Sequence, residues 1–365
     1  MLYRLLMSAS HAADGSRLLS IGVRSFLACA TALAIGLALG RPIIGWLSRM
    51  KIREKTEKTP IEDEALRRRI LGKSGTPTMG GLLVLAGLVP ACLLWADPGN
   101  VCVGLALLCA LALGALGMVD DQLKLRAADR ESRGLKVRYK LLAQATVGAA
   151  VGLVLVRQAA AGGVAYSVPL LRLAGAGAAV LFALWAAGVV AAMSNATNVT
   201  DGLDGLLAGL TPLAAIVLGG ACWASGNPHV AARLRLVHVP AAGELSVFCG
   251  ALSGACLGFL WFNRHPARVF MGDTGSLAIG GGLAAAALAA RQEMLLAVVG
   301  LVFLVEFGSS LLQIGSFKLS GRRILPIAPI HHIFEKRGYA EPRIVWGFYL
   351  WGAAAALMGL NLLWL

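Results

Sequence analysis

Asn195-Ala-Thr-Asn-Val-Thr-Asp-Gly-Leu-Asp-Gly205 lies between two apolar stretches, Ala174–Met193 and Leu203–Trp223. Each is close to the roughly 20 residues that a helix needs to cross a bilayer. Asn195, Asn198, Asp201 and Asp204 recur every third residue, so a helical reading puts them along one face. A carboxylate at the edge of an apolar span is costly, and it usually faces water, an ion or a substrate. The plainer alternative is a polar helix entrance, with Asp201 and Asp204 capping the next span. One polar residue suffices for a cap, and this stretch has five, Thr200 included.

The rest of the chain fits the same reading. Of its 365 residues, 58% are hydrophobic and 14% charged, and the mean hydropathy is +0.73. That is the composition of a membrane protein. The net charge of +14 does not call for nucleic acid. Of 33 Lys and Arg, 25 fall in four segments, 41–73, 124–140, 264–268 and 318–343, all on alternate loops. This is the positive-inside bias, and it places those loops in the cytoplasm. The seven cysteines lie in or beside apolar stretches without a C-x-x-C pair, as small buried hydrophobes do. No cleavable signal peptide is expected, because no apolar core with a small-residue cleavage site precedes Ser20.

Ten spans are expected: 21–47, 79–95, 101–119, 139–156, 174–193, 203–223, 244–262, 276–290, 294–317 and 344–365. The chain is then one all-α polytopic membrane domain, residues 1–365, with both termini outside and five cytoplasmic loops. Residues 1–20 are expected as a short surface helix, and Gly162, Gly163 and Pro169 as turn residues of an outer hairpin. Gly72-Lys73-Ser74 is no P-loop, because Arg67 stands where that motif needs glycine.

The unusual polar residues fall in those five loops: Lys73 and Thr78; Asp120, Asp121 and Lys124; the 195–205 stretch; Asn263 and Asp273; His331 and His332. Adjacent helical residues point about 100° apart. One of Asp120 and Asp121 can therefore face a site while a neighbour holds the other. Gly272 and Gly275 around Asp273 allow close backbone approach, and a helix start suits phosphate. Glu306 and Gln313 are polar within an apolar run. One cytoplasmic site built from five loops is the economical reading. Oxygen donors without paired thiols favour Mg²⁺ or Mn²⁺ over zinc, and Mg²⁺ pairs with substrate phosphates. Phosphoryl transfer is mostly positioning and charge neutralisation.

Five motifs carry a resemblance over almost the whole chain: K-S-G-T-P-T-M-G-G from Lys73, V-D-D-x-x-K from Val119, the 195–205 stretch, V-F-M-G-D-T-G-S-L from Val269, and P-I-H-H-I-F-E from Pro329. Together they resemble the phospho-N-acetylmuramoyl-pentapeptide transferase family, within the polyprenyl-phosphate N-acetylhexosamine-1-phosphate transferases. The resemblance implies transfer of phospho-MurNAc-pentapeptide from its UDP carrier to undecaprenyl phosphate, giving lipid I and UMP, with Mg²⁺. It implies a homodimer in the bacterial cytoplasmic membrane. By motif position Asp273 resembles the metal ligand, and Asp120, beside Asp121, the base on the lipid phosphate. Lys73, Thr78, Asn198, Asp201, Asp204, Phe270 and Gly272 resemble the nucleoside pocket, with Phe270 stacking on uracil; Asn195 joins the substrate-binding set. Lys124 and Lys140 are candidates for phosphate contacts, His331 resembles an essential histidine with His332 beside it, and Gln313 resembles a residue lining the site. The family usually has a third consecutive histidine where this chain has Ile333. A sister transferase of GlcNAc-1-phosphate would share the Asp motifs, but the T-P-T-M-G-G turn and the P-I-H-H-I-F-E loop look more like the muramoyl branch. A transporter with mid-membrane acids fits less well, because the acids cluster at one membrane face and no internal repeat is seen.

Overall fold

The computed structural model describes residues 20–50, 52, 75–126, 134–162, 168–169 and 176–364. Lys73, the expected N-terminal helix before Ser20 and most of the expected outer hairpin lie outside the described residues. The described chain is helical: α1 Ile21–Arg49, α2 Gly81–Trp95, α3 Val101–Arg126, α4 Val137–Gly162, α5 Ala176–Thr200, α6 Leu206–Gly226, α7 Pro228–Arg233, α8 Leu245–Asn263, α9 Gly272–Ala290, α10 Glu293–Val299, α11 Leu301–Ser320, α12 His331–Lys336 and α13 Glu341–Leu362.

Among the described residues nine helices are long and apolar enough to cross a membrane: α1, α3, α4, α5, α6, α8, α9, α11 and α13. The tenth expected span, α2, has 15 residues, somewhat below the usual length. Its ends are nevertheless tied to both ends of the bundle. Gly80 and Gly81 at its start donate to the carbonyls of Phe270 and Met271. The Trp95 carbonyl at its end accepts from Arg24 of α1.

Two spans run further than their apolar stretches. Helix α3 continues past Val119 to Arg126, and the basic Lys124 and Arg126 suit the partial negative charge of its last turn. Helix α5 continues past Met193 to Thr200, where Ser194, Thr197 and Thr200 hydroxyls return to backbone carbonyls of the preceding turn. The expected span 294–317 is instead two helices, α10 and α11, meeting at Gly300. Glycine weakens a helix, and a methyl there would press on the Leu296 carbonyl at 2.7 Å and on Met193.

The core is centred on α9. Helices α3 and α5 pack along it, α2 meets it at its start, and α8 packs against α1, α2 and α6. Helix α9 carries mostly glycine and alanine, G-D-T-G-S-L-A-I-G-G-G-L-A-A-A-A-L-A-A. Small residues let helix backbones approach closely inside a membrane. A methyl at Gly117 of α3 would collide with the Asp273 carbonyl, one at Gly81 of α2 with Gly275, and one at Gly280 of α9 with Thr197 of α5. The start of α9 is thereby locked against three helices at one end of the bundle. The seven cysteines are unpaired; Cys29 is half-buried and the other six are buried.

Candidate active site

The two aspartates that end α3 divide their work. Asp121 turns towards α9. Its carboxylate accepts the backbone N–H of Asp273 at 3.1 Å, that of Thr274 at 3.0 Å and the Thr274 hydroxyl at 2.7 Å. Met271, at the head of α9, offers no side-chain cap. A carboxylate from another helix therefore does the work of an N-cap, satisfying donors that the first turn leaves free. The close approach needs Gly272, whose φ is +71° and at which a methyl would stand 2.7 Å from Asp121 Oδ2 and 3.1 Å from the Thr78 hydroxyl.

Asp120 faces the other way. Its Oδ1 accepts the Leu135 N–H at 2.6 Å, and its Oδ2 lies 2.8 Å from Lys124 Nζ. The same ammonium lies 2.9 Å from Asp273 Oδ1. Lys140, at the start of α4, is ion-paired with Asp273 and stands 3.7 Å from Asp120 Oδ2. Asn198 of α5 donates to Asp273 Oδ1 at 2.9 Å and to the Ser276 hydroxyl at 2.9 Å. Two buried carboxylates thus share ammonium groups, and Lys124 keeps 42% of its side chain in solvent. Phosphate could reach such a cationic edge, and a hard cation could sit between such carboxylates.

The 195–205 stretch serves three neighbourhoods rather than one face, because the helix stops at Thr200. Asn195 donates to Gln144 of α4 at 2.8 Å, away from Asp273. Asn198 reaches Asp273. Beyond the helix, Gly205, with φ +83°, and neither Asp201 nor Asp204, holds the N-cap position of α6. Buried Asp204 instead accepts from Ala267 N–H at 3.1 Å and lies 3.1 Å from His265 Nδ1. Its own N–H donates to Glu341 at 2.7 Å. Asn263 completes this brace, accepting from Gly205 N–H and donating to the Val269 carbonyl, each at 2.9 Å. The brace sets the loop that delivers Phe270, which is half-buried and tied to Pro77 and Gly80 by its backbone.

The last loop brings a further pair. His331 Nδ1 lies 3.0 Å from Glu306 Oε2, and its ring meets Gly202 of the same stretch. His332 is turned to Glu335 at 2.6 Å. Gln313 exchanges two 3.0 Å hydrogen bonds with the Leu325 backbone; its amide holds the loop after α11.

A family model described as glycosyl transferase family 4 matches residues 103–291, more than half of the chain and all of the Asp120–Asp273 cluster. The phospho-N-acetylmuramoyl-pentapeptide-transferase signature 1 matches residues 73–85, which include Thr78. A phospho-N-acetylmuramoyl-pentapeptide-transferase of Granulibacter bethesdensis is 44% identical over 343 residues, 93% of this chain and 92% of that protein. One of Maricaulis maris is 39% identical over 336 residues, 90% of each. The chain belongs to the phospho-N-acetylmuramoyl-pentapeptide transferase family.

For this transferase chain, sequence reasoning missed Thr274, Ser276, Gln144, His265 and Glu341 as partners of the expected residues. Nothing in their spacing marks them; each comes into place through a contact of long sequence separation. Glu306 did carry a signal, a carboxylate inside an apolar run, but its partner lies 25 residues further on.

Proposed function

We propose that the chain transfers phospho-MurNAc-pentapeptide from UDP-MurNAc-pentapeptide to undecaprenyl phosphate, releasing UMP and forming lipid I. The observation that carries this reading is the sharing of Lys124 by Asp120 and Asp273 at one end of an apolar bundle. A lipid phosphate reaches such a place from the bilayer and a nucleotide from water. Lys124 and Lys140 then hold phosphate oxygens. Asp120, with one oxygen on Leu135 N–H, accepts the proton of the lipid phosphate through the other. A lipid phosphate oxygen attacks the β-phosphorus of the UDP-sugar, the new P–O bond forms, and the bond to UMP breaks. Attack in one step suffices, because a positioned phosphate oxygen is already a competent nucleophile. Asn198 and Asp121 keep Asp273 in register with it.

Mg²⁺ fits the donors present. Asp120 and Asp273 are buried carboxylates that already hold a cation between them, and all their neighbouring acceptors are oxygen. Asp273 would hold the ion, with Lys124 released to the substrate and Asp120 left as the base. Bound there, Mg²⁺ would neutralise charge on the diphosphate. The basic loops at the site end support a cytoplasmic face in a bacterial inner membrane. The working unit is taken as a homodimer, which light scattering in detergent would check.

The test is UMP release by purified protein with Mg²⁺ and undecaprenyl phosphate, offering UDP-MurNAc-pentapeptide and UDP-GlcNAc separately. Release with the muramoyl substrate alone, abolished by EDTA and restored by Mg²⁺, is the expected result. Release with UDP-GlcNAc alone would move the chain to the sister branch; release unaffected by EDTA would remove the metal.

A further inference from the structure

Glu306 is fully buried on α11, and the transfer chemistry above gives it no task. Its Oε2 lies 3.0 Å from His331 Nδ1 and 3.5 Å from the His331 backbone nitrogen. His331 is 1% exposed. Its second ring nitrogen, Nε2, has no hydrogen-bond partner among the described residues, and neither has Glu306 Oε1. Nε2 is directed at Gly202, where a methyl would collide with it. Gly202 itself is exposed and does not take a positive φ, so alanine is allowed there by the backbone and excluded only by the imidazole. One turn earlier on the same segment Asn198 holds Asp273.

An ionised carboxylate can only accept hydrogen bonds. Facing Nδ1, it selects the tautomer with hydrogen on that nitrogen and leaves Nε2 as the open one. Four charged or titratable groups surround the ring or the turn that covers it. Glu306 lies on α11, His332 has its ring centroid 4.2 Å away, and Asp201 and Asp204 belong to the turn. His332 is engaged by Glu335, and Glu306 is hydrogen-bonded to the imidazole through Nδ1.

We propose that Glu306 is a positioning residue for His331: it fixes the Nδ1-protonated imidazole and aims Nε2 at the Gly202 turn, which continues the segment whose Asn198 holds Asp273. This rests on the transferase reading. A purely structural Glu306 would anchor α12 to α11 and leave the tautomer and the kinetic parameters of folded enzyme alone.

The experiment combines nitrogen NMR of ¹⁵N-histidine-labelled protein at pH 8 with UMP-release kinetics. His331 is assigned by the signal lost in His331→Gln. In the unsubstituted protein His331 is expected with Nδ1 protonated and Nε2 bare. Glu306→Gln, whose amide can donate to Nδ1, is expected to move the proton towards Nε2. A drop of about 10–100-fold, the size that follows loss of the outer partner of a metal-bound histidine, is expected in kcat, with KM for the UDP-sugar held within about twofold. Glu306→Asp is expected to restore the original tautomer and part of the rate. Gly202→Ala, which displaces the ring tip, is expected to lower kcat comparably. An Nε2-protonated ring in the unsubstituted protein overturns the proposal whatever the activity, and so does an unchanged kcat in folded Glu306→Gln or Gly202→Ala. Absence of UMP release from the unsubstituted protein would instead sink the transferase reading, while the tautomer still decides the pair. Should Glu306→Gln fail to fold, the tautomer of the unsubstituted protein and Gly202→Ala decide.

Discussion

The bundle holds a buried charged cluster at each end, and the two are built differently. At one end Arg24 of α1 forms a forked pair with Glu244, at 2.8 and 2.5 Å, and also donates to the Trp95 carbonyl at 3.0 Å. Glu244 accepts from Asp97 N–H as well. Charge is matched, the side chains are 4% and 13% exposed, and the geometry is closed. At the other end Asp120 and Asp273 share Lys124, which stays 42% exposed. The first arrangement joins helix ends. The second keeps charge at a wet edge, where a phosphate or a cation can exchange with an ammonium. A closed pair serves stability, and an open one is available to a ligand.

That contrast can be broken first with Asp120→Asn. Loss of a general base costs about 10²–10⁴-fold, so UMP release is expected to fall that far while UDP-substrate binding by calorimetry and the melting temperature change little. An equal loss of binding and rate would remove the base role. Arg24→Ala should do the reverse. Breaking a buried pair by removing one partner costs about 3–5 kcal/mol, so the melting temperature in detergent should drop by several degrees while folded molecules keep their turnover. A large kcat defect at unchanged stability would show that the closed end is not merely structural.

Asp121→Asn sharpens the comparison, because Asp121 belongs to the open end yet is itself closed. Its three donors need a carboxylate, and losing a cap costs about 1–2 kcal/mol. Stability and turnover should both fall, and a rate defect with no change in melting would count against the capping role. The smallest effect is expected at Glu293, at the far end of α9. Burial pushes its carboxyl up from the usual 4.5 to about 7, against a smaller opposing pull from Arg291. The folded state then holds a proton that the unfolded chain releases, so stability declines as pH rises from about 4.5 to about 7. The melting temperature should be slightly higher at pH 5.5 than at pH 8, and Glu293→Gln should flatten that slope.

The spans were legible because apolar length is a strong local signal. Their polar ends were less so. Helices α3 and α5 run beyond their apolar stretches because Lys124 and Arg126 suit a helix end and because Ser194, Thr197 and Thr200 hydroxyls fold back on their own helix. The break at Gly300 depends on Met193 pressing from another helix, which no local pattern reveals. At the site, residue types pointed to the right loops, and the spread of Asp120 and Asp121 followed from helix geometry alone. What each side chain touches did not. Asp204 with His265, Gln313 with Leu325 and Glu306 with His331 are contacts between turns that share no period, so hydropathy and spacing are silent about them.

Helix α9 has one more property that bears on Asp273. Its apolar window is entirely buried in protein, whereas only 22% of the windows of α1 and α11 are. Lipid-facing helices answer changes in bilayer thickness by tilting. Helix α9 touches no acyl chain, so its placement is set by α2, α3 and α5 together. The carboxylate at its head is insulated from the lipid around it, and membranes of different thickness should leave the geometry around Asp273 the same while the outer helices adjust.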